Sequence, residues 1–342
     1  MNKRIIPIHD APKVPGLTFR VLNGQEDSER MASIILTSNE FDGQESVVDA
    51  EEVRRWYESS SRFDVQRDAL CAEIDGELAA FGRVRWRDRS DGVRRFDLAA
   101  FVHPAWRGRG IGRALLRWLE RRSGEISGAL PAASGGSILN ITAQQSQAAL
   151  HAIARAAGYE PLRYERYMRR DLVEPIPDAP LPAGFEFRAA TAANYRTIWE
   201  ADDRGFEDHW GHAPGTEEDY QAWLQRRTFQ PELWRVIWHI ESDRVAAQVL
   251  NFFDQKENER FGRLRGYTES ITTQKEFRRM GLARAALCAS MHMFRSMGFT
   301  ETYLGTDSQN LSGSYRVYEW CGYRTTNLET TYSKNIASAV AG

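Results

Sequence analysis

A repeat of very long period constrains this chain more than any other feature. Pro15-Gly16-Leu17-Thr18-Phe19-Arg20 returns as Ala183-Gly184-Phe185-Glu186-Phe187-Arg188, and Arg107-Gly108-Arg109-Gly110-Ile111-Gly112 returns as Arg278-Arg279-Met280-Gly281-Leu282-Ala283, each about 170 residues on. A third pair closes the copies: Gly158-Tyr159 with Glu165, and Gly322-Tyr323 with Glu329. Stacked solenoid repeats recur every ~20–50 residues because one unit cannot bury its own apolar face; so long a period leaves each copy room for a core. The sequence predicts two globular domains of one kind, and 342 residues suit two domains of roughly 100–200 residues each.

Asp171 to Pro182 carries four prolines in a short polar stretch. Such density favours extended backbone and ends helices and central strands, so it reads as a semi-rigid linker. The expected domains are therefore residues 1–175 and 176–342. Cys71, Cys288 and Cys321 are odd in number and scattered, which argues for core thiols in a reducing cytoplasm and against a disulfide framework. Met1 to Pro15 has no apolar run, and no later stretch is long and apolar enough for a bilayer, so neither a signal peptide nor a membrane partner is expected. A net charge of -2 with well-mixed signs gives no field to gather nucleic acid.

Within each copy the pattern runs strand, helices, hairpin, long strand, helix, strand, helix, strand. Asp49-Ala50-Glu51-Glu52 and Thr216 with Asp219 are helix-start signals. Asp75-Gly76 is a two-residue hairpin turn between apolar runs, matched by Ser242-Asp243. After the glycine motifs, Ile111, Ala114, Leu115, Trp118 and Leu119 recur at helical spacing, as do Leu282, Ala285, Ala286, Ala289 and Met293. Each motif thus joins a strand to an amphipathic helix. Successive N–H groups at the positive helix end suit an anion there, and small residues let a diphosphate reach the backbone. A plain strand-to-helix turn accounts for one such motif. Two in the same context favour the anion.

Val102-His103-Pro104-Ala105-Trp106-Arg107-Gly108-Arg109-Gly110-Ile111-Gly112 resembles the acetyl-CoA-binding segment of the GCN5-related N-acetyltransferases, and Thr273 to Ala283 fits too, with Lys275 where that family usually has proline. The resemblance covers nearly the whole chain as two such domains, as in the tandem members of the family. It implies two α/β domains, each a mixed, mostly antiparallel twisted sheet flanked by helices, with a cofactor cleft where two strands separate. It implies acetyl-CoA as co-substrate, no metal, and a small-molecule amine as acceptor. Arg278, Arg279, Met280, Gly281, Leu282 and Ala283 would hold the diphosphate, with Arg107, Gly108, Arg109, Gly110, Ile111 and Gly112 as their first-copy equivalents. Ile271, Thr272 and Thr273 would bind the pantetheine arm, with Ala100, Phe101 and Val102 opposite them in the first copy. Asn310 often has a coenzyme A counterpart.

Acetyl transfer to an amine needs a base for the ammonium, donors for the oxygen that gains charge, and an acid for the departing thiolate. By the resemblance, Glu269 is the candidate base and Tyr318, four residues before Gly322, the candidate acid; Leu98 and Ala154 stand at those places in the first copy. Glu269 also fits as an exposed strand residue paired with an arginine, and Tyr318 as a core aromatic beside Tyr315 and Trp320. Asp208, His209 and Trp210 lie in the segment that walls the acceptor site in this fold. His209 and His212 lack the further ligands of a metal site. The expected function is an N-acetyltransferase whose second domain is catalytic and whose first is structural or a degenerate cofactor binder. A non-catalytic acyl-CoA sensor and an interaction protein are the alternatives. A dinucleotide-binding dehydrogenase fits less well than these, because its glycine turn opens a parallel βαβ unit early in the chain whereas here a hairpin precedes the motif.

Overall fold

The computed structural model describes residues 4–58, 62–309 and 315–336. The chain forms two compact units, as the repeat requires, but the units do not part at the proline-rich stretch. One comprises residues 1–162 and 330–342, the other residues 163–329.

In the first unit, β1 (Leu17–Val21) is followed by helices α1 (Gly24–Phe41) and α2 (Ala50–Glu58), then β2 (Ala69–Ile74), β3 (Glu77–Asp88), β4 (Arg94–Val102), α3 (Ile111–Ala129), β5 (Ser137–Gln144) and α4 (Ala148–Ala156). Strand order follows the chain from β1 to β5. All pairings are antiparallel except β4 with β5. Asp75 and Gly76 both take positive φ, as the two-residue turn demands. Asp49 accepts the amide of Glu52 at 2.8 Å and starts α2. Helix α3 buries Ile111, Ala114, Leu115 and Leu119 against the sheet.

Strand β6 (Glu160–Asp171) begins in the first unit and runs into the second. There follow β7 (Phe185–Arg188), α5 (Tyr195–Gly205), α6 (Glu217–Leu224), β8 (Arg235–His239), β9 (Arg244–Phe253), α7 (Gln255–Phe261), β10 (Arg265–Thr273), α8 (Leu282–Ser296), β11 (Glu301–Asp307), α9 (Tyr315–Trp320) and β12 (Arg324–Asn335). The order β7-β8-β9-β10-β11 repeats that of the first unit, and β6 lies on the far side of β11. Thr216 and Asp219 make the reciprocal capping box that starts α6.

The boundary differs from the expected 175/176 because the closing strands are exchanged. β6 pairs with β11 from Glu165↔Asp307 to Asp171↔Glu301. Within it, buried Arg170 donates to the carbonyls of Cys321 at 2.8 Å and Pro175 at 2.7 Å. Ile176, Ala179 and Leu181 pack on the second unit's core, so the proline-rich stretch is a strap on that unit. The end of β12 serves the first unit: Tyr332 is buried and bonds His151 at 2.9 Å, and Lys334 reaches Glu120 at 3.2 Å. Local composition signals where a chain is stiff, and strand pairing decides which core it joins. The three cysteines are buried free thiols, as expected. No helix among the described residues is long and apolar enough to cross a membrane.

Candidate active site

Strands β10 and β11 run parallel from Arg265↔Glu301 to Tyr267↔Tyr303 and then separate. Tyr323 sits at the fork, its hydroxyl 2.9 Å from Thr302 Oγ1 and 3.2 Å from Thr268 Oγ1. This buried triad sutures the two strands where they begin to part. The open crotch ends at the glycine turn, where Arg279 and Gly281 both take positive φ and Gly281 caps α8. A side-chain carbon built on Gly281 would meet nothing within 4 Å. Amides at the start of α8 therefore face open space, which fits a diphosphate approaching the backbone. Arg278 borders the turn, tied by Nε to the Thr273 carbonyl at 3.3 Å.

The edge facing β9 holds the second feature. Glu269 pairs with Leu250, but Thr272 pairs with Gln248, so β10 carries one residue more than β9 across that interval. Ser270, at φ +47, has the strained backbone of this bulge. Its hydroxyl donates to Asp202 Oδ2 at 3.0 Å, and Gln248 Nε2 donates to Oδ1 of the same carboxylate at 3.0 Å. Burial pushes the Asp202 carboxyl up to about 7 against those two hydrogen bonds. The end of α5 is pressed on the strand two residues further on: a side chain on Gly205 would lie 2.6 Å from Thr272 Cβ. Neither Asp202 nor the bulge was legible in the sequence; a lone acid on an amphipathic helix carries no signal of the strand it will pin.

At the bulge, Glu269 and Ser270 border a small cavity with Trp223, Arg226, Phe229, Trp234, Leu250 and Phe252. Glu269 is open to this cleft, yet the walls push its carboxyl above the usual range, with Arg226 opposing. Further carboxylates gather nearby. Glu165 on β6 stands directly opposite Asp307 on β11. Its own carboxyl is pushed up to about 7 by burial and by Glu329, Asp307 and Glu269. Gly305 makes room for it, since a side-chain carbon there would lie 2.7 Å from Glu165 Oε1. Tyr167 stacks on Tyr303 at 5.9 Å between ring centres and donates to Glu329 at 3.2 Å.

The three expected wall residues divide. Trp210 lies under Arg163, 4.9 Å from the guanidinium carbon to the ring centre. His209 is held below the usual imidazole range chiefly by burial, with Asp307 pulling the other way, so both belong to the carboxylate side. Asp208 does not. It pairs with Lys275 at 3.0 Å and Arg278 at 3.4 Å beside the glycine turn, because two cations there outcompete an acidic cleft. Tyr318 is 5% exposed, packed in the core edge-on to Tyr323. Asn310 lies outside the described residues.

The first unit builds the same frame differently. β4 and β5 pair from Arg94↔Ser137 to Asp97↔Asn140 and then separate, and Gly110 caps α3 at φ +87. Yet β4 pairs with β3 without interruption from Arg94↔Asp88 to Val102↔Ala80. The amide of His103 bonds the Ala79 carbonyl as that of Gln274 bonds Ala246, which aligns the two pairs of strands. On that alignment Ala99 is the counterpart of Glu269 and Ser270 is the extra residue. Counting back from the glycines without the bulge gives Leu98 instead, one residue out. Arg107 binds both oxygens of Asp42, at 2.5 and 3.1 Å. A side-chain carbon on Gly110 would lie 3.1 Å from Pro12, so the amino-terminal arm covers the face that is bare at Gly281. Ala154, at the place of Tyr318, is buried.

Known proteins agree with this geometry. The family model described as "Acetyltransferase (GNAT) family" matches residues 30–135 and 195–323. The mycothiol acetyltransferase of Salinispora tropica is 30% identical over 234 residues, spanning 68% of this chain and 70% of that one. The mycothiol acetyltransferase of Streptomyces griseus is 25% identical over 334 residues, 94% of this chain and 98% of its own. Among solved structures, a GCN5-related N-acetyltransferase from Sphaerobacter thermophilus aligns with a TM-score of 0.70 at 23% identity, covering 94% of this chain and 96% of its own. A tandem GNAT protein from the clavulanic acid biosynthesis pathway gives 0.65 at 14%, covering 94% and 98%; at these identities both are likenesses of fold. The chain belongs to the GNAT family, and it is a tandem-domain acetyltransferase of the mycothiol-acetyltransferase-like kind, in a family that uses acetyl-CoA.

Proposed function

We propose that the second unit transfers the acetyl group of acetyl-CoA to a primary amine of a small molecule by direct attack, and that the first unit takes no part in the chemistry. The observation that carries this reading is the carboxylate of Glu269 on the cleft at the β10 bulge, beside the fork of β10 and β11. Acetyl-CoA supplies the activated acyl group. Residues 278–283 would hold its diphosphate, and Ile271, Thr272 and Thr273 its pantetheine arm. Glu269, with its proton affinity raised, takes a proton from the acceptor ammonium. Glu165, Asp307 and Glu329 give the cleft a negative potential that draws a cationic amine, while Trp223, Phe229 and Phe252 exclude water. Tyr318 returns a proton to the leaving sulfur.

A thiol-release screen over amines tests this, beginning with mycothiol-type amines because the relatives are mycothiol acetyltransferases. With the acceptor found, Glu269→Gln should lower kcat/KM by roughly 10²–10³-fold, and Tyr318→Phe should lower kcat by at least ~10-fold with the KM for acetyl-CoA unchanged. Full turnover in Tyr318→Phe would reduce Tyr318 to a core aromatic.

A further inference from the structure

The strand positions that border the proposed acceptor cleft of the second unit have counterparts in the first, and their chemistry is inverted. The alignment of β3 with β9 puts Arg83 where the second unit has Leu250 and Arg85 where it has Phe252, while Ala99 replaces Glu269. Two guanidinium groups thus lie two residues apart on one strand, on the face toward α2. Arg83 stacks on Trp56, its guanidinium carbon 4.8 Å from the ring centre, and Arg85 lies 6.0 Å from the centre of Phe63.

Among the described residues these cations have no carboxylate partner. Among the described residues Arg83 makes no hydrogen bond and no ion pair, and Arg85 donates only to the Trp56 carbonyl. The Nε of each is buried without a partner. The carboxylate closest in register is Asp97, opposite Arg85 on β4, and it is already held by Arg95 at 2.9 and 3.1 Å. The hydroxyl of Tyr57 is turned to Met31 Sδ at 3.7 Å. Burial lowers the proton affinity of Arg83, and that of Arg85 to about 10. A cation taken from water without a partner destabilises a fold, whereas the planar fork of a guanidinium matches a carboxylate or phosphate with two parallel hydrogen bonds.

We propose that the face of β3 toward α2 in the first unit is a binding site for an oxyanion, the carboxylate or phosphate group of a small metabolite, held between Arg83 and Arg85 beside Trp56. The test uses the full chain with its second-unit turn saturated by coenzyme A, in chloride buffer, titrated calorimetrically with inorganic phosphate and, separately, with malonate. One of the two should bind with a stoichiometry of one and raise the melting temperature; which one tells phosphate from carboxylate. Arg83→Leu, which installs the second unit's own residue, should weaken binding at least ~10-fold. It should also melt above the wild type in anion-free buffer, because an unpaired enclosed charge is gone, with acetyl transfer unchanged. Arg85→Gln should weaken binding similarly. Neither anion binding to the wild type, equal binding to Arg83→Leu, or a lower melting temperature for Arg83→Leu without anion would each overturn the proposal.

Discussion

Strands β4 and β10 are the same strand of a repeated fold, and they differ by one residue. β4 runs in unbroken register against β3, while β10 takes an extra residue at Ser270, directly after the cleft residue Glu269. The neighbouring turns diverge in the same sense. Arg107 is clamped on Asp42 and Gly110 lies under Pro12, whereas Arg278 is only loosely paired and Gly281 is bare. A glycine turn is retained as long as its helix must pack on its strand, because that packing belongs to the fold. The bulge has no such structural duty. It costs backbone strain and the enclosure of Asp202, and it occurs in the unit where it adds Ser270 to the cleft beside Glu269. Of the two features the bulge is thus the better marker of a working site.

Three experiments would break or sharpen this contrast. The largest effect is expected from deleting Ser270, which gives β10 the register of β4, keeps Glu269 opposite Leu250 and removes the cleft-lining hydroxyl that holds Asp202. Acetyl transfer should fall by about 10³-fold or more while the chain still folds, read by thiol release and circular dichroism; retained turnover would detach the bulge from catalysis. Next, Arg278→Ala should raise the KM for acetyl-CoA roughly 10-fold, and Arg107→Ala should leave it unaltered because that guanidinium serves Asp42. Equal effects of the two would make the first turn a working cofactor site. The smallest effect concerns stability. Asp202 is pushed up to about 7 in the fold from an ordinary carboxyl value, so the folded state holds its proton more tightly than the unfolded chain. The protonated fold is favoured at low pH, and this contribution is lost as pH rises from about 4 to 7. Glu165 and Glu269 are shifted the same way. Asp202→Asn should therefore flatten part of the decline in melting temperature over that interval; an unchanged slope would place the titration elsewhere.

Much of this was readable in the sequence, because it follows from short-range rules. Asp75-Gly76 fixed a hairpin through its positive φ angles, Thr216 and Asp219 fixed a helix start, and the spacing of Ile111, Ala114, Leu115 and Leu119 fixed the buried face of α3. Resemblance nominated Glu269 from its distance to the glycines, although its true counterpart was misplaced by one because a bulge leaves no mark in residue types. The proline-rich stretch was recognised as stiff and misread as a boundary. Its place was settled by Arg170 and by the pairing of β6 with β11, contacts that reach across more than a hundred residues.

The sequence by itself determined that one α/β unit occurs twice and that both copies keep a glycine turn at the head of a helix. Periodicity, turn chemistry and repetition are written in neighbouring residues, so they need no tertiary information. Which strands close each unit, where β10 gains its extra residue, and that Arg83 and Arg85 stand at the places of Leu250 and Phe252 beside Glu269 came from the tertiary structure alone. Those outcomes depend on register between strands distant in the chain, and a shift of one residue there exchanges one face for the other.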